Sequence, residues 1–201
     1  MTHPILCVGT DKGSLVFYNR KTQRRVPCIS KHGKKVTFGD WHRDGILITC
    51  SEDKLLTVSN HQGDTIQDSI VVKGEPAQIK WSLSPDPNKK VFCCILQSKS
   101  IVVFDAPTQK NFIINFNPQY GKVSCFQWYG EENVIVGFSS GIVAQISVKD
   151  SSMGQELFAV NAGFNSQIDA INVNHDLGKV SVASLGTVRI YSLADWTEQT
   201  Q

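Results

Sequence analysis

The chain has 201 residues, 41% of them hydrophobic and 19% charged, with a formal net charge of +2. That balance excludes a disordered or low-complexity chain and gives no global electrostatic case for a nucleic-acid protein. The longest purely apolar run, residues 91–96, is six residues long, against the ~20 that a membrane-spanning helix needs, and the start Met-Thr-His-Pro has neither the basic nor the apolar part of a signal peptide.

In chain order, residues 5–8 and 14–18 read as strands, and they are the later strands of a four-strand unit whose first strand is missing. Residues 31–72 then form one complete unit. The run 36–41, the turn Asp44-Gly45, the run 46–50, the turn 52–54, the run 55–60, the turn 61–64 and the run 65–72 alternate β-branched and aromatic stretches with Gly, Asp and Asn. Those turn residues tolerate positive φ or bond their own backbone, which is what antiparallel hairpins require. Further units read as 73–116, 117–160 and 161–201, the last with strands at 168–173, 179–183 and 187–192; residues 193–201 are too polar and short to assign.

Two landmarks repeat independently. A strand ending recurs at Tyr18-Asn19, Ser59-Asn60, Phe104-Asp105, Ile146-Ser147 and Tyr191-Ser192, at intervals of 41, 45, 42 and 45 residues. Trp41, Trp81 and Trp128, with Val173 in the equivalent place, follow at intervals of 40, 47 and 45. Four strands in each period of this length are the mark of a WD-type β-propeller blade. The predicted fold is therefore all-β, an incomplete WD40-type propeller of about four and a half four-stranded blades. His32-Gly33 stands, in reversed order, where such a blade carries Gly-His. Asp11 and Asp53 supply the acid expected in the turn after the second strand, which Ser98, Ser140 and Leu185 do not. An unclosed set of blades has two open flanks, so the chain reads as a piece of a larger protein and is expected to aggregate or be marginally stable alone.

Cys7, Cys28, Cys50, Cys93, Cys94 and Cys125 show no Cys-x-x-Cys spacing. They read as reduced, structural thiols, in keeping with a cytoplasmic compartment. His3, His32, His42, His61 and His175 have no metal-ligand spacing, although His32 and His42 share a unit. No nucleophile elbow, phosphate loop or zinc-protease motif is present, and no catalytic residue, metal, cofactor or small-molecule substrate is expected. Cys125, between Ser124 and Phe126 in a buried strand, does not read as an activated thiolate, and Asp53 reads as turn chemistry.

The sharpest local feature is basic. Residues 20–43 hold eight of the 20 Lys/Arg, namely Arg20, Lys21, Arg24, Arg25, Lys31, Lys34, Lys35 and Arg43, against one acid, Asp40. Most of them are expected in the loop after a third strand and in the connection between blades. Such a cluster suits an acidic protein partner, phosphoinositide headgroups or tubulin, or is simply a solvated loop. Nucleic acid is the weaker match, because the recurring tryptophans read as core and not as stacking platforms. Residues 112–118, rich in Phe and Ile, read as a fourth strand with an edge open to strand addition.

Residues 9–19 (Gly-Thr-Asp-Lys-Gly-Ser-Leu-Val-Phe-Tyr-Asn), 31–41, 51–60, 62–66, 128–130, 137–141 and 154–158 resemble the WD-repeat protein 19 family. The resemblance runs over nearly the whole chain and aligns with the middle to late blades of that family's N-terminal propeller. Family members also carry a second propeller and a helical-repeat tail, which this chain does not show. The resemblance implies a non-catalytic scaffold, a core subunit of the intraflagellar transport A complex, acting in retrograde ciliary transport and receptor entry into cilia. Its implied partners are the other subunits of that complex and a tubby-like adaptor, and its implied locations are cytoplasm, cilium and ciliary basal body. The competing expectation is a propeller module that binds anionic lipid or nucleic acid through residues 20–43, in peripheral contact with a membrane surface.

Overall fold

A computed structural model describes residues 4–199. Among them, eighteen strands form five antiparallel sheets, in the orders β1-β2-β3, β4-β5-β6-β7, β8-β9-β10-β11, β12-β13-β14-β15 and β16-β17-β18. Each strand lies beside its neighbour in sequence, so every sheet is a meander. The chain divides into two compact units, residues 1–81 and 82–201.

The first unit holds β1 (Ile5–Gly9), β2 (Leu15–Asn19), β3 (Arg24–Cys28), β4 (Val36–Trp41), β5 (Leu47–Ser51), β6 (Leu55–Ser59), β7 (Thr65–Val71) and β8 (Pro76–Trp81). Leu15, Phe17 and Leu47 form its first core cluster, with Ile5, Cys7, Cys28, Val36 and Trp41 packed around them. Trp41 stands edge-on to Phe17 with ring centroids 6.1 Å apart, while Trp81 is buried against His42. Two neighbouring first strands are tied directly: Asp40 Oδ2 accepts from Trp81 N at 2.8 Å, and Thr37 Oγ1 donates to Pro76 O at 3.2 Å.

The second unit contains β9 (Val91–Leu96), β10 (Ser100–Asp105), β11 (Lys110–Asn115), β12 (Val123–Tyr129), β13 (Asn133–Phe138), β14 (Ile142–Ser147), β15 (Glu156–Asn161), β16 (Ala170–Asn174), β17 (Lys179–Ser184) and β18 (Thr187–Ser192). Ile95, Ile101, Phe126, Trp128, Val134 and Phe138 are among the residues of one core, and Ile168, Ile171, Val180 and Val182 belong to another. Each large side chain fully withdrawn from water there contributes about 2–3 kcal/mol.

Burial explains why some strands lack alternation. Strands β5, β6, β9, β10 and β13 are buried on both faces and read as continuous apolar runs. The outer strands β3, β7, β11 and β15 are largely exposed. The repeat reaches a detail hidden in the sequence: β4 and β12 both carry a bulge after their first residue. The residue in each bulge reaches across to the second strand, Thr37 Oγ1 to Cys50 O and Ser124 Oγ to Gly137 O.

The strand endings singled out in the sequence close β2, β6, β10, β14 and β18. Two local expectations change. Arg24 and Arg25, expected in a loop, lie in β3, because Arg24–Cys28 pairs with β2 along its full length. Of residues 193–201, those described fold back on β18: Gln199 N donates to Ile190 O at 2.7 Å, and Trp196 buries its ring against Phe158, centroids 5.3 Å apart.

Candidate functional site

The basic residues distribute along the first two sheets. At the β2–β3 hairpin, Asn19 Oδ1 accepts from Lys21 N (2.9 Å) and Thr22 N (3.1 Å), and Gln23 takes a left-handed φ of 55°. This four-residue tip holds Arg20 and Lys21 in solvent. Arg24 and Arg25 follow on β3, and as adjacent strand residues they project to opposite faces. Pro27 is tolerated because β3 is an outer strand, and the cations together with the proline blunt that edge against strand addition.

Lys31, Lys34 and Lys35 lie beyond the other end of β3, five residues or about 17 Å from the hairpin tip. Lys31 is half-buried and donates from Nζ to Thr65 Oγ1 at 2.6 Å, while Lys34 and Lys35 are exposed. Arg43 is exposed in the β4–β5 turn, at the far end of a six-residue strand. The eight cations cluster within residues 20–43 of the sequence and are distributed over a hairpin tip, an outer strand, a connection and a turn.

The most ordered polar constellation lies behind the connection. His32, 4% exposed, enters the sheet from the segment ahead of β4. Its Nδ1 is 3.3 Å from Asp53 Oδ2, and its Nε2 is 2.9 Å from Thr49 Oγ1 and 3.2 Å from Thr57 Oγ1. Asp53 also accepts from Gly33 N at 2.8 Å and Leu55 N at 2.9 Å, and the two threonine hydroxyls meet at 2.8 Å. Burial lowers the His32 pKa from its ordinary value, outweighing the attraction of Asp53. Burial alone would raise Asp53, but the Gly33 and Leu55 N–H groups, His32 and Ser51 more than offset it and leave its carboxyl below the usual range. The consistent assignment is a neutral imidazole that donates from Nδ1 to the carboxylate and accepts at Nε2 from a threonine hydroxyl. Both ring nitrogens of His32 are engaged in holding the sheet together, and its backbone N–H donates to Gly13 O at 3.0 Å.

Asp11 stands exposed in the β1–β2 turn, which is closed by Thr10 Oγ1 accepting from Ser14 N at 3.0 Å. The expected acid therefore joins a histidine network only at Asp53. Thr49 and Thr57 were not legible as its partners, because each sits in an apolar run like any strand threonine. Asp40, counted above only as an acid, proves to be a tie between β4 and β8 whose pKa burial raises.

The remaining candidates are separate. His3 lies outside the described residues. His42 is buried with Nδ1 3.4 Å from Asp44 Oδ2, and the exposed His175 stacks on Tyr129. Among the described residues no three His, Cys, Asp or Glu come together to hold a metal ion. None of the six cysteines, all of them among the described residues, forms a disulfide. Burial pushes the Cys7 thiol up to about 12, helped by Cys28, and pushes Cys93 up as well, the opposite of what an activated thiolate needs. Residues 110–115 form the outer strand β11, with Phe112 and Ile113 exposed, and Pro118–Tyr120 is a short 3-10 turn.

Comparison with known proteins places this architecture. The chain matches 94% of its length to WD repeat-containing protein 19 of Mus musculus at 32% identity and to that of Homo sapiens at 31%. It matches WD repeat-containing protein dyf-2 of Caenorhabditis elegans at 24% over 98% of its length. In each case it spans 14% of the relative. Among solved structures, the β-propeller domain of Cps50 (Swd1) from Myceliophteria thermophila superposes with a TM-score of 0.76 at 11% identity, over 94% of this chain and 63% of that one. The computationally designed protein Ika8 superposes with a TM-score of 0.73 at 15% identity, over 96% and 56%. The fold is an all-β propeller fold of the WD-repeat kind. The family model described as the WDR19 first beta-propeller matches residues 1–201, and the chain belongs to that family.

Proposed function

We propose that this chain is a non-catalytic protein-interaction scaffold of ciliary transport, working as part of the intraflagellar transport A complex in retrograde movement and in receptor entry into cilia. The observation that carries the reading is the family match over residues 1–201. The geometry is in keeping with it: the His32 ring and the Asp53 carboxylate are engaged in holding a sheet together. The exposed cations remain as recognition groups. In this reading residues 1–30, 31–72, 73–116, 117–160 and 161–201 are successive blades. Their partners are the other subunits of the complex and a tubby-like adaptor, met in the cytoplasm, the ciliary basal body and the cilium.

Within this scaffold Arg20, Lys21, Arg24, Arg25, Lys31, Lys34, Lys35 and Arg43 form contact points for acidic partner surfaces. Their dispersal over two sheets favours an extended partner surface over a compact anion such as a single headgroup. The test is co-purification of the chain with purified subunits of the complex at low and high salt, beside flotation with vesicles containing anionic lipid and filter binding to an oligonucleotide. Retention on a subunit at high salt, with charge reversal at Arg24, Arg25, Lys34 and Lys35 slowing association, supports the scaffold. Capture by vesicles or oligonucleotide alone, abolished by salt, overturns it in favour of an anionic-lipid or nucleic-acid module.

A further inference from the structure

We infer that Thr22 is a phosphoacceptor for a Ser/Thr protein kinase that selects Arg and Lys around its target. This does not depend on the transport reading above. The argument begins with two hairpin tips of matching build. Residues 20–23 join β2 to β3, and residues 106–109 join β10 to β11. Both carry Thr-Gln at their third and fourth positions, and Gln23 and Gln109 share a left-handed φ of 55° and 56°.

The hydroxyls differ. Thr108 Oγ1 donates to Asp105 Oδ2 at 2.6 Å and is held inside its own turn. At the first tip Asn19 replaces that aspartate, and its Oδ1 is occupied by the N–H groups of Lys21 and Thr22. The Thr22 side chain is exposed, and its hydroxyl makes no hydrogen bond to the described residues. Four cations flank it, Arg20 and Lys21 on one side and Arg24 and Arg25 on the other, whereas Thr108 has only Lys110 close by.

The surrounding strand permits access. A kinase takes its substrate in extended form, so the tip must open locally. β3 is an outer strand whose first four residues are exposed, and peeling it back sacrifices one ladder and little apolar burial. In the reaction, Thr22 Oγ attacks the γ-phosphorus of MgATP, the bond to the β–γ bridging oxygen breaks, ADP leaves, and the hydroxyl proton passes to the kinase's base. The product places about −1.5 to −2 of charge among four cations, where Arg20 or Arg24 pairs with it. The modification removes about half of the positive charge carried by Arg20, Lys21, Arg24 and Arg25.

The experiment incubates the folded chain with MgATP and protein kinase C catalytic fragment, or with the acid-directed casein kinase as control, and maps phosphate by tandem mass spectrometry. Limited proteolysis before and after establishes that the chain stays folded. Expected are phosphate at Thr22 with the first kinase and not with the second, none at Thr108, and a loss of rate of about tenfold or more in R20Q/R24Q. Because the decisive readout is on the unsubstituted chain, a failure of R20Q/R24Q to fold does not affect it. No phosphate at Thr22, equal labelling of Thr22 and Thr108, or labelling only after urea unfolding overturns the inference.

Discussion

His32 and Asp53 are bonded as a neutral imidazole and a carboxylate, Nδ1 3.3 Å from Oδ2, although the geometry alone would pass for a salt bridge. The imidazole is wholly buried and the carboxylate keeps 11% of its side-chain surface. Desolvation of a cation at that depth costs more than one partly solvated anion returns. The pair therefore acts through oriented hydrogen bonds, and its loss is expected to be felt in stability.

Asp53→Ala removes the acceptor for Gly33 N, Leu55 N and His32 Nδ1 together. Leaving such groups unpaired is expected to lower stability by about 2–3 kcal/mol, and His32→Ala, which adds a cavity, by about 2–4 kcal/mol. Urea titration followed by tryptophan fluorescence measures both. The double variant is expected to fall short of the sum, because the two side chains act as one unit.

The pH dependence has a definite sign. His32 has a folded pKa below its ordinary 6.5, so its contribution is full above pH 6.5 and is lost as pH falls through the folded value. Asp53 lies below its ordinary 3.8, so its contribution is full above pH 3.8 and is lost as pH falls further. Thermal melts across this range are expected to show two successive acid losses, and His32→Gln to flatten the upper one and shrink the lower, since His32 is one of the groups that hold Asp53 low.

Asp40 behaves in the opposite sense. Burial raises its pKa despite the bond from Trp81 N, so stability is full below pH 3.8 and declines as pH rises through the folded value. Asp40→Asn keeps an oxygen acceptor without a buried charge. The variant is expected to match or exceed the parent by up to about 1 kcal/mol at neutral pH, read as a midpoint shift in urea.

Ser59 is 1% exposed, and its Oγ has no hydrogen-bond partner among the described residues. Ser59→Ala removes the buried hydroxyl without opening a large cavity and is expected to raise stability by about 1 kcal/mol, seen as a higher melting temperature.

Gly13 and Gly141 occupy the same turn in their sheets, with φ of 81° and 84°. A methyl group at Gly13 would collide with the His32 carbonyl oxygen, and one at Gly141 with that of Phe164. Both obstacles are backbone, so each Gly→Ala change is expected to cost about 2 kcal/mol or more. Equal melting temperatures for parent and variants would mean that the turn relaxes freely.

The runs read at 36–41, 65–72 and 187–192 fall on β4, β7 and β18 to within one residue, which shows how directly a strand can be read when Gly, Asp or Asn turns stand close by. The endings at Asn19, Ser59, Asp105, Ser147 and Ser192 were legible for the same reason, since a turn has to follow each of them. Strand β3 was not, because Arg24-Arg25-Val26-Pro27 carries charge and a proline that an outer strand tolerates and an inner one does not. Trp196 was not either. Nothing in residues 193–199 alternates, and its burial depends on Phe158 and Tyr191, supplied by two different strands.

By itself the sequence determined the all-β class, the period of the meander and the turn positions, because these depend on local backbone preference and on alternation within a few residues. Only the tertiary structure decided that eight neighbouring cations disperse, since a five-residue strand carries the chain about 17 Å between two of the groups. It also decided that Thr49 and Thr57 converge on His32. Two hydroxyls eight residues apart meet only when β5 and β6 pair in that register, and pairing across strands is what a one-dimensional pattern does not encode.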